Sequence, residues 1–225
     1  MKDKRPEIDV GGKKYLRIPV KTHVITNKDN MVEVVKKYAL PEIKENDILF
    51  ISEKAVAITQ GRAYPVKEIK AGRLAIILSS FVTKTPFGIG LGIPETMEMA
   101  IRECGLFRIL IASVIGFIGK LLGRKGDFYR VAGYKASSID GPTPNTLPPY
   151  NTYVVLGPER PDMVAKEIAG EIKERTVIAD LNDFGGKILG RSDKSLDKFW
   201  LLSVLRDNPL GQCSEQTPIG IIREI

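Results

Sequence analysis

The sequence has few of the residues that build common metal and disulfide sites. Its 225 residues include two cysteines, one histidine and one tryptophan. Cys104 and Cys213 form no C-x-x-C pair, so neither a zinc site nor a disulfide framework is predicted, and a reducing compartment fits. With His23 alone, a histidine metal cluster is impossible. The motifs G-x-S-x-G of hydrolases and G-x-x-x-x-G-K-S/T of phosphate-binding loops are also absent from the sequence.

Long hydrophobic runs are absent as well. The N-terminus has charges without an apolar stretch behind them, so no secretory signal is predicted and we expect a cytoplasmic protein. Residues 109–119 are eleven uncharged residues, whereas a membrane-spanning helix needs about 20. Apolar residues occupy every side of the segment 106–122, so a surface amphipathic helix also fits poorly. We therefore expect this segment to be buried in a core or a subunit interface, with no membrane as partner.

The excess charge is moderate and positive. With 34 Lys and Arg against 27 Asp and Glu, the net charge is +7, which attracts anionic partners. Nucleic-acid binders usually concentrate basic residues on one face and interleave aromatic ones, whereas these are spread along the chain, with one local cluster at 120–135. We therefore expect an anionic small molecule as partner. A nucleic-acid module would instead show affinity that falls steeply between about 50 and 200 mM salt.

Hydrophobic periodicity predicts an α/β protein. Helices are predicted after the cap residue Asn30, from Pro94 to the cap residue Gly105, from Pro161, and over 193–206 with Phe199 facing inward. Strands or extended segments are predicted at 47–52, 128–131, 152–156 and 176–180, and a closing apolar run covers 219–222.

Carboxylates lie in several polar loops. Asp180 ends a predicted strand and is followed by the loop 181–186, and in α/β sheets ligands collect beyond the carboxyl ends of strands. Asp140, Asp183 and Glu215 lie in loops rich in Ser, Thr, Asn, Gln and Gly. Oxygen ligands of this kind suit Mg²⁺ or Mn²⁺. A single loop carboxylate is usually a turn residue, but three such loops together favour an anion or metal site.

Several sequence blocks resemble the gamma-glutamyl ligase family of the deazaflavin coenzyme F-420. In order along the chain they are RIPVK at 17–21, NDIL at 46–49, SEKAVAITQGR at 52–62, AGYKASS at 132–138, VIADLN at 177–182 and the loop that ends at Pro218. The short I-P start, the D-I-L strand and the Q-G-R turn are the most characteristic of them. The segment 106–122 has no counterpart that we can assign.

The resemblance implies a single gamma-glutamyl ligase-like domain over residues 1–225, with mixed sheets, that forms an intertwined α/β homodimer. It also implies GTP, with Mg²⁺ or Mn²⁺, as cofactors, and ATP stays open as the alternative nucleotide. A substrate carboxylate would be activated as an acyl phosphate, and the amine of glutamate or a similar amine would attack it. Cations would neutralise the phosphates, and positioning would supply most of the rate.

The same alignment of motifs shows departures from the family's metal site. Lys135 stands where the family has a metal-binding aspartate, Leu181 where it has a threonine, and Gln212 where it has a glutamate. Ser138 replaces an asparagine. Ile58 occupies the position of a family lysine, with Lys54 one helical turn earlier. Of the family's metal-binding positions only Asp180 is kept, and the candidate ligands of a rearranged metal site are Asp180, Asp140 and Glu215. The candidate nucleotide- or substrate-binding residues are Pro19, Lys54, Lys135, Ser137, Ser138, Asn182, Gln212, Gln216 and Thr217.

Two readings of these departures stay open. In the first, the protein is a ligase with a rearranged divalent site, and the ammonium of Lys135 neutralises a phosphate or carboxylate in place of a metal. In the second, it is a non-catalytic ligand-binding or scaffold protein that retains the fold and oligomerises through residues 106–122. Lys135 and Leu181 favour the second reading. The polar C-terminal loop 211–218 favours the first, because a degenerate site need not stay polar.

Overall fold

The computed structural model describes residues 5–82, 89–144, 146–182, 185–211 and 215–225. The strands in these ranges are β1 (Glu7–Val10), β2 (Lys13–Val20), β3 (Ile48–Ser52), β4 (Ala63–Pro65), β5 (Tyr153–Val155), β6 (Arg175–Asn182), β7 (Gly185–Arg191) and β8 (Ile219–Glu224). The α-helices are α1 (Met31–Tyr38), α2 (Glu53–Thr59), α3 (Arg73–Ser80), α4 (Pro94–Cys104), α5 (Leu106–Leu121), α6 (Asp127–Ala132), α7 (Tyr134–Ser137), α8 (Pro161–Ile172) and α9 (Lys198–Val204). This composition confirms the predicted mixed α/β class.

The chain divides into two compact units. Unit 1 comprises Met1–Gly61 and Pro158–Ile225, and unit 2 comprises Arg62–Gly157. Each unit has a hydrophobic cluster of its own. The single ligase-like domain over residues 1–225 stays a prediction.

Unit 1 is built on a mixed six-stranded sheet. The strand order is β1-β2-β8-β3-β6-β7. β3 and β6 are parallel, whereas β8 is antiparallel to both β2 and β3. β2, β3 and β6 therefore run in the same direction, and their carboxyl ends lie at one edge of the sheet, beside the start of β8.

Helices cover both faces of the central strands. Phe50 of β3 packs in one hydrophobic cluster with Leu201 and Val204 of α9. Because side chains alternate along a strand, Leu49 and Ile51 point to the opposite face, and both are fully buried. α2 packs against β3 and β6, and α8 packs against β6 and β7. This double burial explains why β3 is an uninterrupted apolar run in the sequence.

The local sequence signals for helix starts are confirmed. Asn30 caps α1, and its side-chain oxygen accepts hydrogen bonds from the backbone N–H groups of Val32 at 2.8 Å and Glu33 at 3.3 Å. Pro94 and Pro161 open α4 and α8, as a proline in the first turn favours. α4 ends at Cys104, and the predicted cap residue Gly105 follows it with a φ of 85°, a conformation that favours glycine.

Two sequence predictions about these elements are wrong. Residues 128–131 form most of α6 and are not extended. The apolar and aromatic run is too short to show a helical period, and packing against α5 decides its structure. Phe199 was predicted to face inward, but 82% of it is exposed. It lies two residues from the buried Leu201, which turns it about 200° away around the helix.

Unit 2 contains α3 to α7 and the antiparallel pair β4 and β5. Glycine allows α5 and α6 to approach closely. A Cβ atom at Gly116 would lie 2.9 Å from the Cβ of Phe128, and a Cβ atom at Gly119 would collide with the carboxylate of Asp127. Where α5 packs against Asp127 and Phe128 of α6, its inward side therefore has glycine.

The prediction that residues 106–122 are buried in a core is wrong for most of the segment. α5 buries Ile109, Ala112 and Gly119. Large apolar side chains with exposed fractions from 40% to 81% are Leu106, Phe107, Ile111, Val114, Ile115, Phe117, Ile118, Leu121 and Leu122. The alternative, burial in a subunit interface, stays a prediction.

Within the described ranges, no helix on its own has the length and hydropathy needed to cross a membrane. α4 and α5 pass that length and composition test only as a pair, and they are bent by 119° at their junction.

Glu98 gives unit 2 a pH-dependent contribution to stability. Its carboxylate accepts hydrogen bonds from the backbone N–H of Gly72 at 3.0 Å and from Arg102 at 2.9 Å. The Gly72 hydrogen bond is the main cause that lowers the pKa of Glu98; Arg102 adds to it, and partial burial opposes both. Since the folded pKa lies below the unfolded one, the stabilisation is present above the unfolded pKa and is lost as pH falls through the folded pKa.

We expect Glu98→Gln to lower the free energy of unfolding at pH 7 by about 1–2 kcal/mol. The difference from the unsubstituted protein should shrink as pH falls from the unfolded pKa, about 4.3, through the lower folded pKa, because Glu98 then becomes protonated and, like glutamine, uncharged. Urea unfolding followed by circular dichroism at several pH values measures this. Glu68→Gln, at an exposed position of unit 2, is the control. If Glu98→Gln lowered the free energy of unfolding equally at every pH, the pH-dependent stabilisation by the Glu98 carboxylate would be contradicted.

Candidate functional site

The carboxyl ends of β2, β3 and β6 bring several predicted site residues to one edge of the sheet in unit 1. Pro19 lies opposite Gly220 in the β2–β8 pair, and Ser52 lies opposite Ala179 in the β3–β6 pair. Asp180 is therefore one residue beyond the level of Ser52. Lys54 lies two residues after β3, is half-buried and belongs to the first turn of α2.

The C-terminal loop crosses this edge between β2 and β3. The carbonyl oxygen of Gln216 accepts a hydrogen bond of 2.9 Å from the N–H of Thr22, just after β2. The carbonyl oxygen of Pro218 accepts one of 2.8 Å from the N–H of Ser52. The hydroxyl of Thr217 donates to the carbonyl oxygen of Leu210 at 2.5 Å. Gln216 and Thr217 are thus fixed at the edge where β2 and β3 end.

The last residues of β6 divide between the two faces of the sheet. Asp180 is half-buried and lies opposite Lys187 of β7, and Asn182 lies opposite Gly185. Leu181 packs against the hydrophobic cluster of unit 1, and a Cβ atom at Gly186 would lie 2.8 Å from the Leu181 side chain. Leu181, which replaces a metal-binding threonine of the resembled family, has a packing role and offers no oxygen ligand.

Glu215 lies over the backbone of Gly211. A Cβ atom at Gly211 would lie 2.6–2.9 Å from the carboxyl group of Glu215, and Gly211 has a φ of 85°. Glycine at 211 is therefore needed for this position of the Glu215 carboxylate. Asp183 and Gln212, two other polar residues singled out in the sequence, lie outside the described residues.

A second group of predicted residues belongs to unit 2, around α7. The Nζ of Lys135 lies 3.8 Å from an Oε2 of Glu103, and that same oxygen accepts a 2.7 Å hydrogen bond from Arg62. Arg62 also donates to the carbonyl oxygen of Gly157 at 2.7 Å. Two cations therefore lie at one carboxylate, and the Lys135 side chain is 61% exposed. An exposed ammonium of this kind can contact an anionic ligand from solution.

The remaining candidates of unit 2 are held by backbone groups. The hydroxyls of Ser137 and Ser138 donate to the carbonyl oxygens of Tyr134 at 3.0 Å and Lys135 at 3.3 Å. Ser138 is buried, and a Cβ atom at Gly157 would collide with it. Asp140 is exposed, and its backbone pairs with Val155. These contacts fix the backbone of 137–140 beside β5.

Cys104 adjoins the charged group around Glu103. Burial raises the pKa of the Cys104 thiol, and the positive charges of Arg108 and Lys135 oppose this effect only in part. The thiolate is the nucleophilic form of cysteine. A raised pKa therefore argues against Cys104 as a nucleophile at neutral pH.

The oxygen donors at the sheet edge of unit 1 are of the type that suits a hard cation. They comprise the carboxylates of Asp180 and Glu215, the amide of Asn182 and the hydroxyl of Thr217. Asp140, the third predicted ligand, belongs to unit 2. In the part of the chain that the structure describes, no three His, Cys, Asp or Glu side chains are grouped as a metal site.

Sequence reasoning missed two members of the group around Lys135. Arg62 ends the characteristic Q-G-R block, so its position signalled a role that was not assigned. Glu103 lies in an ordinary helical pattern, and no sequence signal could have identified it, because its contacts with Arg62 and Lys135 join residues that are distant in the chain.

Comparison with known proteins gives one family. The model of the family described as F420-0:Gamma-glutamyl ligase matches residues 19–180. A search of curated proteins gives no match. The matched range covers more than half of the chain, from Pro19 at the end of β2 to Asp180 near the end of β6.

Proposed function

Because the chain belongs to the F420-0:gamma-glutamyl ligase family, we propose that it joins a carboxylate to the amine of glutamate, or of a similar amine, at the expense of GTP or ATP. The observation that carries this proposal is the family match over residues 19–180. That range contains the group around Lys135 and, of the sheet edge, Pro19, Lys54 and Asp180, whereas Asn182 and the C-terminal loop lie beyond it.

The proposed reaction has two steps. A carboxylate oxygen of the acid substrate attacks the γ-phosphorus of the nucleotide, and the nucleoside diphosphate leaves, which gives an acyl phosphate. The amine then attacks the acyl carbon, inorganic phosphate leaves, and the nitrogen loses a proton as the amide forms. Both steps bring anionic groups together, so they need positive charge and fixed positions more than covalent help from the protein.

Residues of the chain can supply part of that charge. The ammonium of Lys135 lies 3.8 Å from the carboxylate of Glu103, and its side chain is 61% exposed, so it can contact an anionic group of a substrate. An ammonium neutralises one anion but does not bridge two phosphates as a metal ion does. We therefore include Mg²⁺ or Mn²⁺ in the proposal, with Asp180 and Glu215 of unit 1 as candidate ligands. Asp140, which belongs to unit 2, stays a sequence-based prediction. Such a cation, when bound, would neutralise the transferred phosphoryl group.

The site in unit 1 supports the binding part of the proposal. Pro19, Lys54, Asn182, Gln216 and Thr217 lie at or near the edge where β2, β3 and β6 end, which is where ligands bind in α/β sheets. We propose these residues, together with Lys135, Ser137, Ser138 and Gln212, as the nucleotide- or substrate-binding set. A homodimer and a cytoplasmic location, where nucleoside triphosphates are available, are further parts of the proposal.

Nucleotide binding is testable by thermal unfolding of the full chain. With Mn²⁺ and GTP or ATP well above the dissociation constant, we expect the melting temperature to rise on the order of 5 °C. Asp180→Asn should remove most of this rise, because it removes a carboxylate charge at the proposed site. Glu167→Gln, at an exposed position of α8, is the matched control and should keep the full rise. If neither GTP nor ATP raises the melting temperature of the unsubstituted protein, with Mg²⁺ or with Mn²⁺, the ligase proposal is wrong and a non-catalytic role is favoured.

A further inference from the structure

Exposed apolar side chains are concentrated on α5. Of the eighteen exposed large hydrophobic side chains in the described ranges, nine lie between Leu106 and Leu122. Such clustering marks an interaction surface, whereas single exposed hydrophobic residues are ordinary. Phe107, the most exposed of the nine, is 81% exposed. We call these nine residues the α5 face.

The α5 face occupies one side of a helix whose other side is already packed. Inward-facing Ile109, Ala112 and Gly119 are buried, and Gly119 lies against Asp127 of α6. At about 100° per residue, the seven members of the α5 face that follow Phe107 in the sequence spread over an arc of about 160° around the helix. Phe107 lies at the middle of this arc. A coiled-coil seam is narrower than this. The breadth of the arc indicates contact with an extended surface.

The charges around the α5 face are almost all positive. Residues 105–139 contain six Lys or Arg and one acidic residue, Asp127. Asp127 is buried and paired with Arg124 at 3.0 Å and Arg130 at 2.5 Å. Lys120 and Lys125 are exposed near the C-terminal end of α5. The apolar face is therefore bordered by basic side chains, and residues 105–139 supply no exposed carboxylate.

This charge pattern separates two kinds of partner. A second copy of the chain would bring the same positive border to the contact, and like charges oppose such an interface. The nearest carboxylates before α5 in sequence, Glu98 and Glu103, are already engaged by Arg102 and Arg62. An anionic lipid surface instead provides apolar depth for the hydrophobic side chains and negative headgroups for the basic ones.

We propose that the α5 face lies on the surface of a membrane that contains anionic lipids, with its hydrophobic side chains inserted at the level of the headgroups and acyl chains. The inward side of α5 stays packed against α6, so the helix lies along the membrane without crossing it. This departs from the sequence-based expectation that no membrane is a partner, because that expectation assumed a buried segment. The proposal does not depend on ligase activity.

Vesicle flotation with the full chain tests the apolar part. We expect the protein to float with phosphatidylcholine vesicles that contain phosphatidylglycerol and to stay in solution with phosphatidylcholine alone. Phe107→Glu should weaken binding on the order of tenfold or more, since it removes a large apolar group and adds a negative charge. Phe199→Glu is the matched control, because Phe199 is equally exposed but lies in unit 1, and it should bind like the unsubstituted protein.

The charge part is tested in the same assay. The double substitution Lys120→Gln and Lys125→Gln should weaken binding on the order of tenfold, whereas Lys28→Gln with Lys166→Gln, two exposed lysines of unit 1, should not. Ile118→Glu repeats the test at another exposed position and guards against a local effect at Phe107. Equal binding to both vesicle types, or equal losses for Phe107→Glu and Phe199→Glu, would overturn the proposal. The proposal would also be overturned if the protein did not float with either vesicle type and formed a dimer in solution that Phe107→Glu dissociates. That result would assign the α5 face to a second copy of the chain.

Discussion

Asp207→Ala is expected to lower the free energy of unfolding by about 3–5 kcal/mol, because it leaves a buried guanidinium without its carboxylate. Arg17 in β2 is only 2% exposed. It forms a two-pronged ion pair with Asp207, with one Nη2–Oδ2 distance of 3.0 Å, and it also donates to the carbonyl oxygens of Val204 and Arg5. Unfolding of both proteins in guanidinium chloride, followed by circular dichroism, measures the loss in free energy of unfolding.

The exposed pair of Lys13 and Glu224 provides the control for this prediction. Their side chains lie 2.7 Å apart and are 62% and 55% exposed. Because exposed ion pairs contribute little, Glu224→Ala should cost less than about 1 kcal/mol. A similar loss for Asp207→Ala and Glu224→Ala would mean that the buried pair does not hold β2 in place.

Gly190→Ala is the second large prediction, with an expected loss of about 3 kcal/mol. Gly190 lies in β7 directly beneath the start of α8. A Cβ atom there would collide with the carbonyl group of Pro161 and would lie 2.8 Å from the nitrogen of Asp162. The obstacle is backbone, which cannot move aside as a flexible side chain can. Asp162 also accepts a 2.8 Å hydrogen bond from the N–H of Arg191, so α8 is fixed against β7 at this point.

Gly170→Ala is the matched glycine substitution. Gly170 lies within α8, and a Cβ atom there would meet nothing within 4 Å. Since alanine is the better helix former, this variant should gain up to about 1 kcal/mol. Thermal and urea unfolding of both variants should show a lower free energy of unfolding for Gly190→Ala and a higher one for Gly170→Ala. A stable Gly190→Ala protein would show that α8 can shift away from the sheet.

The sequence was most informative where structure depends on neighbouring residues. The cap at Asn30 and the prolines at 94 and 161 marked helix starts correctly, because cap hydrogen bonds and the fixed φ of proline act over one turn. The strand at 47–52 was also found, because burial on both faces leaves an apolar run. The α5 face was not foreseen. Its exposure depends on α6 packing against the small residues of the opposite side, which apolar composition alone does not reveal.

The candidate site was predictable in its parts and not in its assembly. The position of Asp180 at a strand end follows from the sequence pattern. The neighbourhood of Thr22, Gln216 and Ser52 depends on β8 inserting between β2 and β3, and a pairing between such distant segments has no local signature. The group of Arg62, Glu103 and Lys135 likewise forms only through tertiary packing. Leu181 was identified as a departure from the family, but its role in packing became clear only from its contacts.

Direct observation of ligation tests the central claim, that this member of the F420-0:gamma-glutamyl ligase family forms an amide bond. The purified chain is incubated with F420-0, glutamate, GTP and Mn²⁺, and the products are analysed by mass spectrometry, with ATP in a parallel reaction. The account predicts a product that carries one added glutamyl residue, formed together with nucleoside diphosphate and phosphate, and a rate about 100-fold lower for Asp180→Asn. Undiminished product formation by Asp180→Asn would contradict the proposed site. Nucleotide turnover that does not change when glutamate or the acid substrate is omitted, with no amide product, would contradict the ligase function itself.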